Sequence, residues 1–170
     1  RFSTPLCAIA LALASAPALA DINVGVVFSL TGPAASLGIE TRKAIDLMPR
    51  TLGDEKINYI VLDDATDPTN AVKNARKLAV ENKVDVLFGP NLITSGVAMA
   101  DVANEEKVAL LAQAPIEVAP EKLKWAFRVE PSAEIMVGRA VADMKARGVK
   151  TVGFIGFSDS WGELLLKALT

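Results

Sequence analysis

The stretch GPNLITSGVAMADVA, residues 89–103, decides how this chain is read. It follows Val84 to Phe88 (VDVLF), a short apolar run of the kind that is buried on both faces of a parallel sheet. Gly89 and Pro90 stop a strand, and Thr94-Ser95-Gly96 opens a helix that runs on from Gly96 to Glu106. Strand, tight loop and helix in that order place the stretch at the rim of a parallel sheet.

The same pattern extends in both directions. Apolar, β-branched runs recur at Ile22 to Phe28 (INVGVVF), Ile57 to Leu62 (INYIVL), Val108 to Leu111 (VALL) and Thr151 to Phe157 (TVGFIGF), and each predicts a buried strand. Segments of helical spacing separate them, so the class is α/β. Asp67 is set to cap a helix with Pro68 in its first turn and Val72, Ala75, Leu78 and Ala79 as its apolar stripe. Ser132 caps another, with Ile135, Val137, Ala140, Val141 and Met144 on the buried side and Gly148 just past the end. Pro49 ends or kinks the first helix early. An extended stretch around Trp125 to Arg128 meets a new helix at Val129-Glu130-Pro131-Ser132, which marks a boundary. Trp161 to Thr170 reads as a helix without a closing Gly or Pro, as in a chain cut there.

Composition narrows the function. The chain has 170 residues, 51% of them apolar and 22% charged, with a formal net charge of −2. That is enough to bury an ordinary core, and no basic stripe exists for nucleic-acid phosphates. Residues 1–20, RFSTPLCAIALALASAPALA, combine one positive charge, a short apolar run and Ala18-Leu19-Ala20, the pattern of a secretory signal peptide cleaved before Asp21. Its apolar run is too short to span a membrane, and Pro5 and Pro17 interrupt it. Cys7 is the only cysteine, so the mature chain is expected to lack any thiol; the residues before Cys7 do not fit a lipid anchor. Export without cysteines fits the periplasm.

In an open α/β sheet ligands bind beyond the carboxyl ends of the strands, which directs attention to 29–38, 63–67, 89–96, 112–117 and 158–162. A loop feeding directly into a helix presents unpaired N–H groups and the positive end of the helix dipole, a receptor for a carboxylate. Thr94 and Ser95 add hydroxyls there, which either face a ligand or cap their own helix. Asp63, Asp64 and Asp67 are either an acid cluster for a metal or the cap and solvated turn before a helix. Trp161 either faces a ligand or packs its own helix. No nucleotide-phosphate loop, GxGxxG, GxSxG or HExxH is present, and the chain has no histidine, so no catalytic residue, metal or cofactor is expected.

The order of INVGVVFSLTGPAASLG, LDDATDPTNAVKNARKL, VDVLFGPNLITSGVAMADVANEEKV, WAFRVEPS and VKTVGFIGFSDSWGE resembles the type I periplasmic substrate-binding proteins of ABC importers, in the group related to the leucine/isoleucine/valine-binding proteins. The likeness runs over residues 22–170. It implies a doubly wound parallel-sheet lobe over 21–130, the start of a second similar lobe over 131–170, an amino acid or organic carboxylate held in the cleft between lobes, and an inner-membrane ABC permease as partner. The resemblance places Leu92, Ile93, Thr94 and Ser95 on one wall of the site and Ala114 and Ile116 on the other. The family's two hydroxyl positions fall on Ile93 and Ile116, or on Thr94 after a one-residue slip, and its two aromatics fall on Leu37 and Trp161. These departures favour a less polar organic acid held mainly by backbone N–H groups. Two alternatives remain: a ligand-sensing receptor module of the same fold, and an α/β enzyme using Asp63 and Asp64 with a metal.

Overall fold

The computed structural model describes residues 21–170; residues 1–20, where a signal peptide is expected, and with them Cys7, lie outside the described residues. Strand β1 (Ile22–Phe28) leads to α1 (Ala35–Leu47), then to an antiparallel pair, β2 (Thr51–Leu52) and β3 (Glu55–Asp63). Next come α2 (Pro68–Arg76), which continues as a π-helical turn over Lys77–Glu81, then β4 (Val86–Phe88) and α3 (Ile93–Glu106). β5 (Ala109–Ala112), a 3-10 turn (Pro120–Lys124) and β6 (Ala126–Arg128) complete the sheet, and α4 (Ala133–Ala146) and α5 (Ser160–Leu169) follow.

The strands lie in the order β2-β3-β1-β4-β5-β6, and every pair except β2-β3 is parallel. Alternation along the strands divides the core between the two faces. Val27, Leu87, Leu110 and Ala126 point to one face, where Ala71, Ala75 and Leu78 of α2 and Met99, Val102 and Ala103 of α3 cover them. Val26 and Phe28 point to the other, where Ile45 of α1 packs. Phe28 meets Phe88 edge to face, with ring centroids 5.8 Å apart. The sheet is thus wound on both sides, as the alternation of runs implies.

The local signals act as their chemistry dictates. Asp67 accepts hydrogen bonds from the N–H groups of Thr69 and Asn70 with Pro68 in the first turn, and Ser132 accepts one from Ile135. α1 stops at Leu47, with Met48 extended before Pro49, because a residue preceding proline is driven out of the helical region. Gly148 lies past α4 at φ +72°.

Two expectations fail, both beyond residue 130. Thr151 to Phe157 forms no strand: it pairs with no described residue and is exposed along its whole length. Apolar β-branched composition supplies the side chains of a strand, but a ladder needs neighbours for its N–H and C=O groups. The stripe of α4 is only partly covered; Val137 is buried, whereas Ile135 and Ala140 are exposed. α5 is its main packing partner, and the two helices and residues 149–154 enclose a loose cavity of about 260 Å³.

Candidate functional site

Parallel pairing brings the carboxyl ends of β1, β3, β4 and β5 to one rim. Chain order reverses across β1: β3 lies on one side of it and β4 on the other, with α1 and α2 on opposite faces. The connections after β1 and β4 therefore diverge and leave a crevice, the usual ligand position in such sheets.

Asn91 stands in that crevice and ties three loops together. Its Oδ1 accepts from the Ser29 N–H at 3.2 Å, and its Nδ2 donates to Thr41 Oγ1 at 3.1 Å and to Gln113 Oε1 at 3.2 Å. The sequence reading passed over it, since an asparagine after Gly-Pro is an ordinary turn residue. Only the strand order shows that it lies between loops 62 residues and 22 residues away.

The aspartates of the loop after β3 are consumed structurally. Asp63 Oδ1 accepts from the N–H groups of Leu30, Thr31 and Ala65, and its Oδ2 from Thr31 Oγ1 at 2.6 Å. Partial burial pushes its carboxyl up, but the bonds from Thr31, Ala65 and Leu30 together hold it below the ordinary carboxylate range. Asp64 is fully buried, with one oxygen bonded by Ser29 Oγ at 2.7 Å and by the Thr66 N–H at 2.8 Å. Asp67 caps α2. Among the described residues no three His, Cys, Asp or Glu side chains gather in a way that suits a metal.

α3 begins at Ile93, after Leu92 as an uncapped N-cap residue. Its first bond runs from the Gly96 N–H to the Leu92 carbonyl at 2.9 Å. Among the described residues the N–H groups of Ile93, Thr94 and Ser95 have no hydrogen-bond acceptor, and neither hydroxyl caps the helix. Thr94 is exposed. Ser95 is fully enclosed, and its Oγ is one of the buried polar atoms that lack a partner. An unpaired buried hydroxyl costs about 1–3 kcal/mol, so a group that pairs with it on binding recovers stability lost in the free protein.

The loop after β5 packs directly on this helix start. The Ala114 N–H donates to the Pro90 carbonyl at 3.1 Å, and a Cβ on Gly96 would sit 2.5 Å from Ile116 Cγ2, so only glycine permits the approach. Ala114 and Ile116 are each 2% exposed, and the Ile116 N–H is bonded to the Ala114 carbonyl. Their side chains and N–H groups are spent within the protein. The residue of that loop that reaches open space is the next one, Glu117.

Glu117 and Ile93 form one side of a cavity of about 290 Å³, and Ser160, Glu163, Leu164 and Lys167 of α5 form the other. Trp161 is half-buried on the first turn of α5 next to Ser160, though it does not itself line the cavity. Leu37 is 54% exposed near the start of α1, where its carbonyl accepts from Thr41 Oγ1, the partner of Asn91. The structure thus gathers Leu92, Ile93, Thr94, Ser95, Ala114 and Ile116 at one rim, whereas neither Leu37 nor Trp161 lines the cavity there. Close by, the Ser132 hydroxyl, the N–H of Glu134 and the charges of Lys167 and Arg128 hold the Glu134 carboxyl below its usual range.

The described residues thus form a doubly wound α/β sheet with a crevice at its reversal and free donors at a helix start. Residues 21–170 match the family model described as periplasmic binding protein, and the chain belongs to that family. It is 30% identical over 151 residues to Leu/Ile/Val-binding protein homolog 3 of Brucella melitensis biotype 1, an alignment covering 79% of this chain and 40% of that protein. A solved extracellular ligand-binding receptor from Rhodopseudomonas palustris HaA2 is 42% identical and superposes with a TM-score of 0.82, over 88% of this chain and 42% of that one. A solute binding protein of an ABC transporter from Rhodopseudomonas palustris BisB5, solved with 3,4-dihydroxy benzoic acid, is 26% identical with a TM-score of 0.72, over 88% of this chain and 42% of that one. The chain therefore spans less than half the length of these proteins.

Proposed function

We propose that this protein is the periplasmic solute-binding component of an ABC importer, capturing a small organic carboxylate or amino acid and presenting it to an inner-membrane permease. It performs no chemistry on the ligand. The observation that carries this reading is the start of α3, where three consecutive N–H groups without acceptors stand beside the enclosed, unpartnered hydroxyl of Ser95. A carboxylate there meets the positive end of a helix that runs from Ile93 to Glu106.

In this reading Ile93, Thr94 and Ser95 hold the acid, with Leu92, Ala114 and Ile116 fixing the shape of the rim. Leu37 and Trp161 close its margins. Residues 21–130 act as the body of one lobe, and residues 131–170 belong to a second, so that α5 approaches the first lobe across the cavity. Ligand binding then biases an equilibrium between open and closed arrangements, and the closed one is recognised by the permease. The 3,4-dihydroxy benzoic acid bound by the Rhodopseudomonas palustris BisB5 relative supports an aromatic acid, and the Leu/Ile/Val-binding relatives support an amino acid. The departures at Ile93 and Ile116 favour the aromatic acid.

A thermal-shift screen of the whole protein against amino acids, aromatic acids and aliphatic acids tests this. A ligand at 100 times its dissociation constant stabilises by about 2.7 kcal/mol, well within reach of such a screen. Stabilisation by acids but not by their neutral amides supports the reading. A flat response across all three classes contradicts it.

A further inference from the structure

The cavity beside α3 carries a charge pattern that narrows the acid it takes. Glu117 comes from the loop after β5, and Glu163 and Lys167 come from α5, so two carboxylates on separate elements share one space with a single cation. Elsewhere some of the described charges pair, Arg42 with Asp46, Arg76 with Glu105 and Glu106, and Lys122 with Asp101, while others such as Arg128 and Arg139 stand outside the ion pairs. Among the described residues Glu117, Glu163 and Lys167 take part in none of the ion pairs. Lys167 also faces the Glu134 carboxylate, so the two glutamates are what is left to act on whatever fills the cavity.

We propose that Glu117 and Glu163 make this a monocarboxylate site, which admits an acid with one anionic group and rejects one with a second at its far end. The proposal rests on the acid-capture reading above. One carboxylate is satisfied by the free N–H groups of Ile93, Thr94 and Ser95 and by Lys167. A second meets no further cation among the described residues that line the cavity. At about 290 Å³ the space is at the small end of ligand pockets, so a second carboxylate cannot stay far from both glutamates. At exposed positions like these, two like charges each roughly 5 Å from the incoming one together weaken binding by about tenfold. A hydroxyl, amide or ammonium in the same place instead donates to Glu117 or Glu163.

The test is calorimetric titration of the whole protein with two matched pairs: 3,4-dihydroxybenzoate against terephthalate, and glutamine against glutamate. The dianionic-side member of whichever pair binds is expected to bind at least about tenfold more weakly. In the double variant Glu117→Gln, Glu163→Gln the gap narrows by about tenfold through a gain by the dicarboxylate, while Glu117→Asp with native Glu163 keeps it. Both glutamates are exposed, so the melting temperature without ligand is expected to stay close to that of the native protein and report a folded variant. Equal affinities within the binding pair, or an unchanged gap in the double variant, overturn the proposal while leaving acid capture standing. Failure of all four probes to bind overturns acid capture and this proposal with it.

Discussion

β1 (INVGVVF) and residues 151–157 (TVGFIGF) carry nearly the same sequence signal and reach opposite states. β1 pairs with β3 on one side and β4 on the other, and Val26, Val27 and Phe28 are wholly buried. In 151–157 no described residue provides a ladder, and Ile155 and Phe157 face solvent at 101% and 80% exposure. The difference teaches that a parallel strand is a property of three segments at once. Side-chain pattern nominates a strand, and the neighbours on either edge realise it.

The largest test of that contrast is a pair of truncations. Phe28→Ala empties a fully packed position and loses an aromatic contact, and is expected to cost about 3–5 kcal/mol in denaturant unfolding. In the 170-residue chain Ile155→Ala removes a side chain that touches solvent and is expected to change stability by less than about 0.5 kcal/mol. Comparable losses at the two positions would break the comparison. Hydrogen exchange sharpens it further, with amides 24–28 among the slowest and amides 151–157 near the unprotected rate.

Asn91→Ala removes the bonds that hold the loops after β1, β4 and β5 together. It is expected to cost about 1–3 kcal/mol and to weaken ligand binding, which a melt and a titration of the same variant measure together. Asp63 gives a pH signature confined to the sheet lobe. Its folded carboxyl is held below the ordinary value, so the folded state binds fewer protons there than the unfolded chain. Its contribution is fully present above the unfolded value of about 3.9 and is lost as pH falls through the folded value. Asp63→Asn is expected to flatten the acid limb of stability against pH. Ser95→Ala is the smallest in stability: removing a buried hydroxyl that has no partner is expected to be neutral or slightly stabilising, while ligand affinity falls.

Much of the sheet lobe was legible in the sequence. The runs at Ile22 and Ile57, the Asp67-Pro68 start, the break before Pro49 and the helix after Thr94-Ser95-Gly96 all carry local chemistry that acts within a few residues. The short edge hairpin of β2 with β3 went unread because its first strand is two residues long and carries no alternation. The exact start of α3 was not legible either: the sequence pattern opens it at Thr94-Ser95-Gly96, whereas it begins at Ile93 after an uncapped Leu92. What escaped was everything set by distance along the chain. The burial of Ala114 and Ile116 comes from Gly96 letting their loop pack onto α3, and the role of Asn91 comes from a strand order no local pattern states. Glu117 was overlooked because an exposed glutamate looks alike on any loop until α5 is placed opposite it.

The central claim is that the first-turn N–H groups of α3 receive the ligand's acid. Nuclear magnetic resonance of the 15N-labelled whole protein, titrated with 3,4-dihydroxybenzoate, addresses it residue by residue. Saturable shifts centred on the amides of Ile93, Thr94 and Ser95, with Glu117 at the margin, are the predicted result. Saturable shifts that leave those three amides unmoved and centre elsewhere on the sheet would contradict the account.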